Sequence, residues 1–180
     1  MTTRKICLTA MGIALFVVLT MCLQVPVFEN YYLCLGYVVM MVFCFYFGPF
    51  SSVIVGTLGV VLYCLLSSGL RGMPGWAIGN VVIALSVSFA CRYTAGLKKI
   101  WMRSLILLGV IVIATAAGIL GVKSLVEMIL YAQPFLLRAV KNTYAFVADI
   151  VVMTVSIPVC IKLEAVIIRL FPDETVSIQQ

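Results

Sequence analysis

The chain has 180 residues, of which 64% are hydrophobic and 10% charged, and its mean hydropathy is +1.24. Soluble domains have about 45–50% apolar and about 25% charged residues, so a water-soluble fold is excluded and the solvent must be lipid. The 12 Lys and Arg exceed the 6 Asp and Glu, and there is no His, the usual general base and commonest metal ligand. Each membrane span needs about 20 apolar residues, which leaves room for a helical bundle but not for a soluble catalytic domain.

The first apolar run, residues 6–23, follows the basic pair Arg4 and Lys5. A basic start before an apolar run is typical of a signal peptide, whose apolar region is usually about 7–15 residues and ends at a small-residue cleavage site. This run has 18 residues and ends without such a site. We therefore predict a retained transmembrane helix.

Further apolar runs follow in order, separated by turn-forming or basic segments. Gly48 and Pro49 divide the second run from the third, because proline cannot continue a helix and disfavours helix in the preceding residue; this predicts a tight hairpin. Residues 123–141 are mixed and contain Pro134, and residues 162–171 form an amphipathic end to the last run. The sequence predicts an all-α integral membrane protein, a compact bundle of six transmembrane helices in a single domain (residues 1–180). The predicted spans are 6–23, 33–47, 50–66, 76–93, 104–122 and 142–161.

The distribution of basic residues predicts the orientation of the bundle. Cytoplasmic loops carry an excess of Lys and Arg. If the N-terminus is cytoplasmic, that side has eight of them, and the outer side has four: Arg71, Lys123, Arg138 and Lys141. This predicts that both termini are cytoplasmic. The eight are Arg4, Lys5, Arg92, Lys98, Lys99, Arg103, Lys162 and Arg169.

The outer end of the predicted bundle gathers polar, aromatic and charged residues. Ionisable groups at membrane depth are costly and usually face a bundle interior or a cavity, so this pattern predicts the rim of a small-molecule pocket that opens outward. Glu127, on the same side, is expected to be solvated. The candidate substrate-binding residues are Arg71, Trp76, Asn80, Arg138, Asn142 and Asp149.

Three of these candidates lie at or near the start of the fourth span, and each has two readings. Arg71 could reach the lipid headgroups or direct its guanidinium at a substrate. Trp76 could be an interfacial anchor or a stacking surface for a ligand. Asn80, four residues after Trp76 and on the same helix face, could bond a neighbouring helix or contact a ligand.

Asp149 is the strongest single candidate, because a lone carboxyl group inside an apolar helix needs a partner. It follows Asn142 by seven residues, and Ser156 continues the same helix face. The structural interpretation is an ion pair with Lys141 or Arg138. The functional interpretation is a pocket wall or a proton site.

Pairs of small residues spaced four apart allow helices to approach closely in lipid. They occur at Ala10 and Ala14, at Gly75 and Gly79, and at Ala117 and Gly121. The seven cysteines form no C-x-x-C pair, and we interpret them as small buried apolar residues rather than as disulfides or metal ligands.

The absence of several motifs limits the classes of function. The sequence has no phosphate-binding loop and no serine-hydrolase or zinc-protease motif. Its second half does not mirror its first, which disfavours a carrier built from inverted repeats. We expect no enzymatic activity, no cofactor, no metal site and no nucleic-acid partner.

Three local features, in order, resemble the substrate-binding (S) component of an energy-coupling factor (ECF) vitamin transporter. The pair Ala10 and Ala14 is similar to the A-x-x-x-A motif with which these proteins dock on their transmembrane coupling subunit. Residues 36–59, with Phe-Gly-Pro-Phe at the hairpin, resemble the glycine-punctuated second and third helices of the family. Residues 72–80, Gly-Met-Pro-Gly-Trp-Ala-Ile-Gly-Asn, resemble the substrate-side loop that enters the fourth helix.

The resemblance implies a mechanism and a set of partners. An S component binds its vitamin at the outer face of the bacterial plasma membrane and topples in the bilayer to release it inward. A transmembrane coupling subunit and two ATPase subunits supply the energy. The excess of outer cations favours an anionic or carbonyl-rich substrate, with pantothenate, hydroxymethylpyrimidine and pyridoxine as candidates. The alternatives are a stand-alone proton-coupled carrier or channel that uses Asp149, and a structural membrane subunit.

Overall fold

The computed structural model describes residues 3–22, 26–28, 31–32, 34–67, 72–97 and 99–171. Helices account for nearly all of this chain, and one short antiparallel strand pair lies between the first two helices. The elements are α1 (Thr3–Cys22), β1 (Pro26–Phe28), β2 (Tyr31–Tyr32), α2 (Gly36–Tyr46), α3 (Pro49–Leu66), α4 (Met73–Thr94), α5 (Ile100–Thr115), a π-helical segment (Ala116–Lys123), α6 (Ser124–Tyr131) and α7 (Phe135–Leu170).

Five helical stretches of the described chain are long and apolar enough to cross a membrane. Four of them are α1, α3, α4 and most of α7, and the fifth is the continuous run of α5, the π-helical segment and α6. The remaining helix, α2, is also apolar but has only 11 residues. The predicted helical membrane bundle is confirmed.

The short helix α2 lies at the centre of the bundle. Nine of its 11 residues are buried, and it contacts α1, α3, α4 and α7. A helix that is apolar all round is expected to be surrounded by other helices. The hairpin predicted after α2 is confirmed, because Gly48 adopts a φ of +85° and Pro49 begins α3.

Glycines allow two of the helices to cross with their backbones in contact. A Cβ on Gly79 of α4 would lie 2.7 Å from the carbonyl oxygen of Gly118, and a Cβ on Gly118 would lie 2.7 Å from that of Gly79. The prediction for Gly75 and Gly79 is confirmed, since both are buried against the π-helical segment. The prediction for Ala117 and Gly121 is wrong, because Ala117 is exposed and Gly118 makes the contact.

The fifth span is longer than the sequence indicated. We predicted its end at residue 122, but the helix continues to Tyr131, and α7 already begins at Phe135. The polar residues of this region did not end the helix because they find partners inside the bundle, as described below. The break falls instead at Ala132, which is left-handed with φ of 50°, and at Pro134, the N-cap of α7.

The last helix, α7, has 36 residues and contains Pro158. At 1.5 Å per residue it is about 54 Å long, which exceeds the roughly 30 Å hydrocarbon core of a bilayer. Its end meets the start of α1: Arg4 Nη2 donates to the Leu170 carbonyl oxygen at 3.1 Å, and the guanidinium lies 5.4 Å from the Phe171 ring centroid. The first and last helices therefore share one end of the bundle.

All seven cysteines are free thiols. The prediction that they are buried holds for five of them and is wrong for Cys7 and Cys22, which lie on the exposed surface of α1. The five buried cysteines are Cys34, Cys44, Cys64, Cys91 and Cys160.

Candidate substrate-binding site

Polar side chains from four helical elements meet at the end of the bundle opposite the start of α1. Tyr37 lies in the first turn of α2, and Trp76 and Asn80 lie in the first two turns of α4. Lys123 ends the π-helical segment, and Asp149 lies on α7. Because successive helices alternate in direction, these positions reach the same end of the bundle.

The hydroxyl group of Tyr37 is the centre of a hydrogen-bond network. It donates to Asn80 Oδ1 at 2.8 Å and accepts from Trp76 Nε1 at 2.9 Å. Asn80 Nδ2 in turn donates to the carbonyl oxygen of Gly56 at 2.9 Å. The carboxyl group of Asp149 also hydrogen-bonds to this hydroxyl. The network therefore joins α2, α3, α4 and α7 through neutral groups and one carboxyl group.

Asn80 is fully buried and bonds neighbouring helices, which confirms the structural reading of this residue. Trp76 is half-buried and its ring meets that of Tyr63 edge-on, with centroids 5.8 Å apart. The indole N–H points into the bundle at Tyr37. The expectation that Trp76 and Asn80 share a face is confirmed, because both bond the same hydroxyl.

A second polar group connects α6 to α7. Asn142 Nδ2 lies 3.0 Å from Ser124 Oγ and 3.2 Å from Glu127 Oε2, and donates to both. Arg138 Nη1 lies 3.7 Å from the same Glu127 oxygen. The expectation that Glu127 is solvated is wrong, since it is only 4% exposed. Continuation of the fifth span to Tyr131 turns this carboxylate toward α7.

Lys123 connects the two groups. Its side chain is buried and interacts electrostatically with both Glu127 and Asp149. The predicted pairing of Asp149 with Lys141 or Arg138 is wrong, because Lys141 is exposed and Arg138 pairs with Glu127. Lys123 takes that role, because the π-helical segment places it inside the bundle rather than in a loop.

The sequence correctly placed the polar face of α7 but missed three members of the site. Asn142 and Asp149 are buried together with Ser156, although Ser156 bonds only the Val152 carbonyl of its own helix among the described contacts. The missed residues are Tyr37, Lys123 and Glu127. The predicted candidate Arg71 lies outside the described residues.

Comparison with known families follows from this geometry. The model of one family, described as the ECF-type riboflavin transporter, S component, matches residues 1–164. The chain belongs to this family. The resemblance predicted from Ala10, Ala14 and the two glycine-rich segments is thereby confirmed.

Membership makes this chain an S component, a vitamin-binding subunit of the ECF transporters, and its family is a family of transporters rather than of enzymes. The apolar helices agree with a multi-pass membrane protein. No curated protein and no solved structure matched the chain.

Proposed function

We propose that this S component captures a small vitamin or vitamin precursor at the outer face of the bacterial plasma membrane and delivers it inward. A transmembrane coupling subunit and two ATPase subunits would supply the energy. Family membership supports the class of transporter. The observation that carries the proposal is the polar network around Tyr37, which lies within a bundle of membrane-spanning helices.

The wall of the proposed site combines the sequence candidates with the residues found in the structure. Trp76 and Tyr37 offer aromatic surfaces, while Asn80 and Asp149 offer hydrogen-bonding groups. Such a mixture of aromatic surface and a few placed polar groups is typical of small-molecule sites. The proposed wall comprises Tyr37, Arg71, Trp76, Asn80, Lys123, Arg138, Asn142 and Asp149.

The charges of the described site favour a neutral ligand. The sequence count of outer cations favoured an anion, but Lys123 and Arg138 each face an acidic side chain, Lys123 facing Asp149 and Arg138 facing Glu127. An anion would therefore be added to cations whose charge is already offset, at a desolvation cost. Riboflavin, which the family's description names, and pyridoxine or hydroxymethylpyrimidine fit this balance better than pantothenate does.

Binding of these four compounds to the detergent-solubilised protein tests the proposal. A ligand that binds only the folded state raises the melting temperature, and we expect at least one neutral compound to do so without ATP. Tyr37→Phe should weaken that binding by about 0.5–1.5 kcal/mol, the usual contribution of one hydrogen bond. Tyr93→Phe is the control, since Tyr93 is 85% exposed near the opposite end of α4. Binding of none of the four, or an equal effect of both variants, would contradict the proposed site.

The exposed side of α1 supports the proposed docking on the coupling subunit. Ala10 and Ala14 both lie on that side, whereas Gly12 and Phe16 face the bundle interior. A Cβ on Gly12 would lie 2.5 Å from the ring of Phe43. Small exposed residues allow a partner helix to approach closely.

Ala14→Trp is expected to leave ligand binding intact but to abolish uptake in cells that contain the partner subunits, because the indole holds the partner helix away. Ile113→Trp is the control, since Ile113 is 72% exposed on α5. Normal uptake by Ala14→Trp would refute the docking role. Uptake that persists without the ATPase subunits and follows a proton gradient would instead favour a stand-alone carrier using Asp149.

A further inference from the structure

An apolar groove lies between α5 and α7, near the end of the bundle where α1 begins and α7 ends. Its volume is about 440 Å³, and it is lined mainly by apolar side chains, among them Trp101, Leu105 and Ile157. It opens sideways, since Trp101 and Leu105 are 90% and 73% exposed. The groove is therefore accessible from the surrounding lipid.

The floor of the groove contains polar atoms that the described chain does not satisfy. The hydroxyl oxygen of Thr154 is buried, and no hydrogen-bond partner is present for it in the described residues. Pro158 also lines the groove. Because proline has no N–H, the carbonyl oxygen four residues earlier, also that of Thr154, lacks its usual helical donor. A buried polar group without a partner is costly in an apolar environment.

The mouth of the groove is basic. Lys162 lines it and is exposed, and Lys99 is exposed at the start of α5. Basic residues near a membrane surface attract anionic lipid headgroups, and an exposed Trp such as Trp101 is typical of the membrane–water interface.

We propose that this groove binds one anionic glycerophospholipid. Lys162 contacts the phosphate, the Thr154 hydroxyl donates to an ester carbonyl oxygen, and an acyl chain lies along the apolar lining. Lys162 and Thr154 are eight residues apart, about 12 Å along the helix axis. The side chain of Lys162 shortens this span because helical side chains lean toward the N-terminus. The proposal is independent of the vitamin site, which lies at the other end of the bundle.

Native mass spectrometry of the full chain, released from phosphatidylcholine vesicles that contain some phosphatidylglycerol, tests the proposal. We expect one retained phosphatidylglycerol per protein. Lys162→Gln should reduce this adduct about fivefold, and Thr154→Val, which keeps the side-chain shape, should also reduce it about fivefold.

Lys141→Gln is the matched control. Lys141 borders another apolar groove, of about 470 Å³, whose lining contains a lysine but no hydroxyl side chain. This variant should retain the lipid as the parent protein does. Equal retention in all variants, or equal retention of phosphatidylcholine, would overturn the proposal. So would a cross-link from Trp101 to the coupling subunit in the assembled transporter that excludes the lipid.

Discussion

At the scale of single residues, the unusual feature is a buried lysine between two acidic side chains. Lys123 is buried, as are Glu127 and Asp149. Removing one partner from a buried charge pair commonly costs several kcal/mol, whereas replacing both partners by neutral groups is often tolerated. The stability of this end of the bundle should therefore depend on the balance of charge rather than on any one residue.

A double-mutant cycle on Lys123 and Asp149 tests this dependence. Lys123→Met should lower the free energy of unfolding by about 3 kcal/mol, because the acidic groups lose their shared cation. Adding Asp149→Asn should recover about 0.5–3 kcal/mol, the usual coupling between residues in contact. The measurement is unfolding in detergent of the parent, the two single variants and the double variant. Additive effects would show that the two side chains do not interact.

Which residues of the site could be predicted depended on their sequence neighbours. Asn80 and Asp149 stand out because each is a polar residue in an apolar helix, and both are buried in the site. Tyr37 lies in a run of aromatic and aliphatic residues, where nothing distinguishes a central hydroxyl from an ordinary core tyrosine. Lys123 and Glu127 were assigned to a loop because charged residues normally end an apolar span, and only their mutual pairing across the bundle keeps them inside.

At the scale of secondary-structure elements, the contact between α4 and the π-helical segment organises the site. Backbone contact at Gly79 and Gly118 brings the two helices together, and Trp76 and Lys123 lie near that crossing. The spacing of small residues indicated the α4 side of this contact. It did not indicate the other side, because a π-helical segment does not follow the 3.6-residue period on which the pattern rests.

Gly79→Ala tests the importance of this crossing. The new methyl group would lie 2.7 Å from the Gly118 carbonyl oxygen, and overpacking of this kind typically costs about 1–3 kcal/mol. Gly109→Ala is the matched control, since nothing lies within 4 Å of a Cβ there, and alanine is favoured over glycine in a helix by about 1 kcal/mol. Melting temperatures should therefore shift in opposite directions. A fall for both variants would contradict this account.

At the scale of the whole molecule, apolar content and turn residues were sufficient to predict the helical bundle, but not the length of every helix. Gly48 and Pro49 correctly located one hairpin, because both have strong conformational preferences. The true start of α7 at Phe135 was missed because the start was assigned from hydropathy alone. The direction of the bundle across the membrane rests on the count of basic residues.

Cysteine labelling tests that direction. In a background of Cys7→Ser and Cys22→Ser, the two exposed native thiols are removed. We expect a membrane-impermeant maleimide to label Lys141→Cys on intact cells and to label Lys99→Cys only after permeabilisation. The unsubstituted background is the control. The reverse pattern would place the Tyr37 network on the cytoplasmic side and refute capture from outside.

The π-helical segment gives this chain an unequal tolerance to two kinds of genetic change. A point substitution within residues 116–123 alters one contact, but deletion of one residue would advance everything after it by about 100° around the helix axis. The turn at residues 132–134 would absorb that rotation before α7. Residues 124–131 alone would then be out of phase, and the carboxylate of Glu127 would face the hydrocarbon instead of Arg138.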